Sequence, residues 1–137
     1  MNSQELKQRT KKFALRVMRL VDALPKSAKG RALASQLARS GTSVAANYRA
    51  SCRARSRAEF ISKIGVVEEE ADETALWLEL IIDDKILPQK KITPLLNEAN
   101  ELVAIMAVSY ISASRKNSTR TRKSQSAISN HQPAIRT

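Results

Sequence analysis

The sequence predicts an all-α protein: an antiparallel up-and-down four-helix bundle over residues 1–116, followed by a disordered basic C-terminal tail over 117–137. Three observations carry that prediction. Gly and Pro are scarce, at 3 and 4 of 137 residues, and aromatics make up only 4 %, a composition that suits long helices rather than a sheet with many turns. Apolar residues recur at helical spacings in four successive stretches. The breaks between those stretches are short, which favours antiparallel neighbours. A chain of this length fits one domain and can bury a core without disulfides or a metal.

The first stretch spans about Ser3 to Leu24. Leu6, Phe13, Val17, Leu20 and Leu24 fall within roughly 60° of a helical wheel, a core-facing stripe. Arg9, Lys12, Arg16 and Arg19 gather on one flank within about 80°, a solvated basic ridge. Pro25 ends the pattern, and Ser27 is placed to cap a second helix that reaches about Arg53. Leu33, Leu37, Val44 and Tyr48 form its apolar face, while Arg31, Arg49 and Arg53, with Arg39 at the edge, form a second basic stripe on the other side. Gly41 in mid-helix costs about 1 kcal/mol relative to Ala, so either a close helix crossing or a local kink is implied there.

The third stretch, about Ser56 to Asp84, places Phe60, Ile64, Val67, Ala71, Leu78 and Ile82 on one face. A second apolar patch of Val66, Leu76, Trp77 and Leu80 lies roughly 100–200° away. One helix of a monomeric bundle needs one buried stripe, so the spare patch, with Glu70 and Glu73 beside it, argues for an oligomer interface. The alternative is a single wide stripe that wraps under a neighbouring helix. The acid run Glu68, Glu69, Glu70, Asp72 and Glu73 solvates a helix face, with pairing to the basic stripes of the same or a neighbouring subunit as a secondary expectation. Pro88 and Lys90-Lys91 mark a connection, and Thr93-Pro94 reads as the cap and first residue of a fourth helix. Leu95, Ala99, Leu102, Met106 and Tyr110 give its face, which fades by about Lys116. From Asn117 onward the chain has too few apolar residues to offset the entropy of ordering it, which makes a basic tail carrying Arg120, Arg122 and Lys123.

Charge is unevenly spread. The net formal charge of +11 divides into +11 over residues 1–55, −4 over 56–116 and +4 over 117–137. Such a field attracts polyanions: nucleic acid, an anionic membrane surface or an acidic protein. No window approaches 18 uninterrupted apolar residues, and the apolar face of the basic first helix is better used in the bundle core than on a lipid surface, so no membrane partner is expected. The single cysteine, Cys52, and the lack of a leader pattern at the start favour a cytoplasmic location.

Catalytic chemistry has little to stand on. The only histidine, His131, lies in the tail, where no scaffold would hold a metal or a triad. Cys52 sits beside Arg49, Arg53 and Arg55, but no base accompanies it. Glu69 and Glu73 are one turn apart, yet a di-iron set of the Glu-x-x-His kind needs histidine. Gly30, Gly41 and Gly65 stand alone and build no phosphate loop. The expectation is no enzyme, no metal and no cofactor.

An ordered series then stands out: Leu24-Pro25, Leu33, Gln36-Leu37, Arg39-Ser40, Ser43-Val44 and Ala46-Asn47, followed by Phe60, Lys63-Ile64 and the segment Glu70-Ala71-x-Glu73-Thr74-x-x-Trp77-Leu78. Over roughly residues 6–112 it resembles the four-helix-bundle proteins related to the 23S ribosomal RNA intervening-sequence proteins. The chain departs at Ala46-Asn47-Tyr48-Arg49-Ala50-Ser51, where many members continue Ala-Asn-Ile-Ala-Glu-Gly, and at Leu76, where an aromatic is common. The resemblance implies an antiparallel bundle assembled as a ring-like homopentamer. It also implies kinship with the accessory variability determinant proteins of diversity-generating retroelements, which bind their reverse transcriptase and nucleic acid.

The leading functional expectation is a non-enzymatic, basic, oligomeric protein that binds RNA or DNA through phosphate contacts, as an accessory to a retroelement reverse transcriptase if that kinship holds. Its contact residues are Arg9, Lys12, Arg16 and Arg19, then Arg31, Arg39, Arg49 and Arg53, with Arg120, Arg122 and Lys123 adding nonspecific affinity. The alternative is an oligomeric scaffold that docks a partner protein and has no direct nucleic-acid role.

Overall fold

Asn2, Ser27 and Ser56 each turn an extended backbone into a helix by accepting a hydrogen bond on the side chain from the N–H three residues on, at 2.8, 3.1 and 3.0 Å. At Asn2 the arrangement is a full capping box, since Glu5 reaches back to the Asn2 N–H at 2.9 Å. The computed structural model describes residues 1–126, with side chains as far as Arg115, and contains α1 (Ser3–Ala23), α2 (Ala28–Ser51), α3 (Arg57–Asp83) and α4 (Gln89–Ser126). Among the described residues there is no strand. Each helix packs along its successor, α1 and α3 do not touch, and α4 returns to α1 over only a short seam, so the fold is an all-α, up-and-down four-helix bundle.

The core repeats more regularly than the apolar residues alone indicate. In α3 the buried positions Val67, Ala71, Thr74, Leu78 and Ile81 step alternately by four and three, and Leu6, Thr10, Phe13 and Val17 do the same in α1. This is the 3.5-residue rhythm of knobs-into-holes packing. Two differences from the sequence expectation follow from it: Ile81 rather than Ile82 is fully buried, and small or polar residues fill seam positions. Phe60, Leu20, Leu33 and Tyr110, expected in the core, are only half-buried. The hydroxyls buried at the seam find partners: Thr10 donates to the Leu6 carbonyl at 2.9 Å, Thr74 to the Glu70 carbonyl at 2.8 Å, and Ser40 and Thr74 share a bond of 2.7 Å across α2 and α3.

Gly41 marks a close crossing. A Cβ added there would lie 2.7–2.9 Å from the Val17 side chain, so α1 and α2 meet at a spacing only glycine allows. After α3 the chain leaves by a Schellman turn: Ile86 N–H bonds the Ile81 carbonyl and Lys85 N–H the Ile82 carbonyl, with Lys85 at φ 54° in the left-handed position usually held by glycine.

The fourth helix differs at both ends from its expected bounds. It begins at Gln89, because Ile92 is fully buried and anchors a first turn on the core. Thr93 is therefore not a cap; its hydroxyl bonds back to the Gln89 carbonyl at 3.0 Å, and Pro94 sits inside the helix, where it cannot donate to Lys90. At the other end α4 passes Lys116 and runs to Ser126. Extending a packed helix avoids the cost of nucleation, and residues 117–126 contain neither Gly nor Pro. The rest of the expected tail, 127–137, with His131, lies outside the described residues.

Candidate nucleic-acid interface

The two basic stripes face different neighbours. Arg9 grips α4: its Nε and Nη2 donate to the two carboxylate oxygens of Glu98 at 2.7 and 2.8 Å, and Nη2 also reaches Glu101 at 2.6 Å. Glu98 most, with Glu101 adding to it, pushes the Arg9 pKa above its usual high value, against the opposing effect of burial. The Arg9–Glu98 pair is well shielded, with side chains 23 % and 16 % exposed. Arg9 thus serves as a clasp between α1 and α4. Arg39 is likewise engaged, with Glu70 at 3.2 Å and with Glu73, so part of the acid run on α3 pairs with the second basic stripe inside one chain. Of the remaining candidates Lys12, Arg19, Arg31, Arg49 and Arg53 are exposed and Arg16 is half-buried; none of them forms an ion pair among the described residues.

A cluster of arginines lies at one end of the bundle. Where α2 gives way to α3, Arg49, Arg53, Arg55 and Arg57 crowd into nine residues, and no carboxylate among the described residues pairs with any of their side chains. The backbone that carries them is held. Arg53 N–H bonds the Ala50 carbonyl and Ala54 N–H that of Ser51, the Ser51 hydroxyl donates to the Tyr48 carbonyl at 2.6 Å, and Glu59 accepts from the Arg55 N–H at 3.0 Å. Arg57 Nε is buried without a hydrogen-bond partner among the described residues. Arg55 and Arg57 were not singled out as contacts in the sequence reading; the run Arg53-Ala54-Arg55-Ser56-Arg57 is the linear signal that marks them.

α4 reaches beyond this pole. Gly65 faces Tyr110, which fixes the α3–α4 register, and the antiparallel count then sets Arg57 level with about residue 118. At 1.5 Å per residue, α4 overshoots the start of α3 by about 12 Å. Arg120, Arg122 and Lys123 belong to this overshoot.

The apolar patch expected on α3 divides in two. Val66 is half-buried and lines a groove of about 720 Å³ against Tyr110 and Ile111 of α4. Trp77 packs half-buried on the core and, with Leu80 and Leu33, lines a groove of about 510 Å³ between α3 and α2. Its buried Nε1 has no partner among the described residues. Leu76 and Leu80 are exposed. No group of three or more His, Cys, Asp or Glu able to hold a metal occurs among the described residues, and no helix there is long and apolar enough to cross a membrane.

The chain matches the family 23S rRNA-intervening sequence protein over residues 2–108. It belongs to that family. A solved structure from Bacteroides thetaiotaomicron VPI-5482, a protein of unknown function from the S23 ribosomal protein family, has the same fold with a TM-score of 0.74 and 32 % identity. The similarity covers 80 % of this chain and 98 % of that one. No curated protein matches the chain. The stretch shared with the intervening-sequence protein family takes in the arginine pole, whereas the overshoot of α4 lies past its end.

Proposed function

We propose that this chain is a non-enzymatic RNA-binding subunit that grips phosphate through the arginine pole, and that it works as the homo-oligomer its family resemblance implies. The single observation that carries the reading is the pole itself: four arginines at and beside the pinned α2–α3 connection, with no carboxylate on their side chains among the described residues. Guanidinium groups left free in this way suit phosphate oxygens, which they meet with paired N–H donors. The family description, which names an insertion in 23S ribosomal RNA, favours RNA over DNA. None of the five aromatic residues is exposed, so the surface offers no stacking platform and recognition runs through backbone and shape. Lys12, Arg16, Arg19 and Arg31 extend the field as secondary contacts, and a ring of copies would add such contacts by avidity.

The test is the triple variant Arg49→Glu, Arg53→Glu and Arg55→Glu, purified free of nucleic acid and compared with the parent on a structured RNA at about 100 mM salt. Loss of three phosphate contacts should lower affinity at least about tenfold while the helical circular dichroism stays unchanged. Unaltered binding by the folded variant would remove the pole from the interface. Parent protein that ignores RNA yet captures a partner protein, such as a reverse transcriptase with an acidic surface patch, would replace this reading with the scaffold alternative.

A further inference from the structure

Among the outward apolar faces of the described residues, those on α1 and α3 carry opposite charge and turn away from each other. On α1, Leu15 and Met18 are 43 % and 50 % exposed, and Lys11 and Arg19 sit one turn before and after Leu15 on the same ridge. On α3, Leu76 and Leu80 are 46 % and 41 % exposed, beside the groove that Trp77 and Leu33 line. Asp72 and Asp83 bracket that pair on the same ridge, both exposed and neither in an ion pair among the described residues. Lys29 at the groove edge is held by Asp84 at 2.5 Å, and Asp22 lies one turn beyond Met18.

We infer that the Leu15–Met18 face of α1 in one copy seats on the Leu76–Leu80 face of α3 in the next. This rests on the oligomeric part of the function proposed above and supplies the surfaces that part needs. Charge chooses the occupant. Two α3 faces brought together would set acid against acid, whereas the α1 face brings cations to it. Length agrees: Lys11 to Arg19 spans about 12 Å of helix and Asp72 to Asp83 about 16 Å, a difference the long Lys and Arg side chains bridge. Because α1 and α3 occupy opposite corners of the bundle, a copy cannot use both faces on one partner. The contact is head-to-tail, each copy offers one face of each kind, and assembly runs on into a ring or an open chain.

The test reads mass by light scattering on full-length, nuclease-treated protein, so it is independent of whether RNA binds. The parent should exceed the mass of a single chain. Lys11→Glu with Arg19→Glu should reduce it to a monomer with unchanged circular dichroism, and so should Asp72→Lys with Asp83→Lys. Combining all four changes in one chain should restore the parental mass, an outcome that misfolding cannot produce. A parent that stays monomeric, a pair of reversals that leaves the mass unchanged, or a fourfold variant that stays dissociated would each overturn the assignment.

Discussion

Replacing Gly41 by Ala puts a methyl group against the Val17 side chain, and the cost of overpacking such a contact is about 1–3 kcal/mol. The destabilisation should shrink when Val17 is also Ala, because the space then exists. Urea unfolding of the two single variants and the double variant measures this coupling, and full additivity would show that α1 and α2 do not meet there. Sequence spacing left a crossing and a kink equally open at Gly41, since the choice depends on a residue 24 positions away. Tyr48 is the second residue with a readable consequence. Burial first, and Cys52 second, push its phenol pKa upward. Below about pH 10, the ordinary phenol value, folded and unfolded chains both keep the proton and stability is intact. Above it the unfolded chain releases a proton that the folded chain retains, so stability falls as pH rises. Urea midpoints from pH 7 to 11.5 should therefore decline less for Tyr48→Phe than for the parent.

Among the elements, the seam between α1 and α4 is the narrowest contact in the bundle, and Arg9 spans it. An Arg9→Met variant keeps most of the aliphatic bulk and removes the charge-assisted bonds. It should lose about 1–3 kcal/mol and expose α1 amides to hydrogen exchange before those of α2 and α3. Equal protection in the variant would mean that packing alone holds the seam. The four helices and their order were legible because apolar spacing and caps are local signals; Ser27 behaves as its position predicts. Two things were not local. The start of α4 depends on Ile92 finding the core, which overrides the Thr93-Pro94 signal. Seam positions occupied by Thr10, Gly41 and Thr74 are invisible to a count of apolar residues, although they complete the 3.5-residue repeat.

Across the whole molecule, the structure redistributes the charge that the sequence presents as two stripes. Arg9 and Arg39, both plausible phosphate contacts by helical position, are neutralised by carboxylates distant in sequence, at Glu98 and Glu101 and at Glu70 and Glu73. Which cations remain free is a property of the fold, and among them Arg49, Arg53 and Arg55 lie at the end where α2 turns into α3 and α4 overshoots. The spare apolar surface on α3 was legible as a patch, but its division between a half-buried Trp77 and an exposed Leu76–Leu80 pair follows from the path of α2. Phosphate recognition by the arginine pole can be read by titrating structured RNA with nuclease-treated protein across a salt series. Log affinity should fall linearly with log salt, and the slope should become shallower in the Arg49, Arg53 and Arg55 charge-reversal variant. Absence of binding at low salt, or a slope that the variant shares with the parent, would contradict phosphate recognition by the pole.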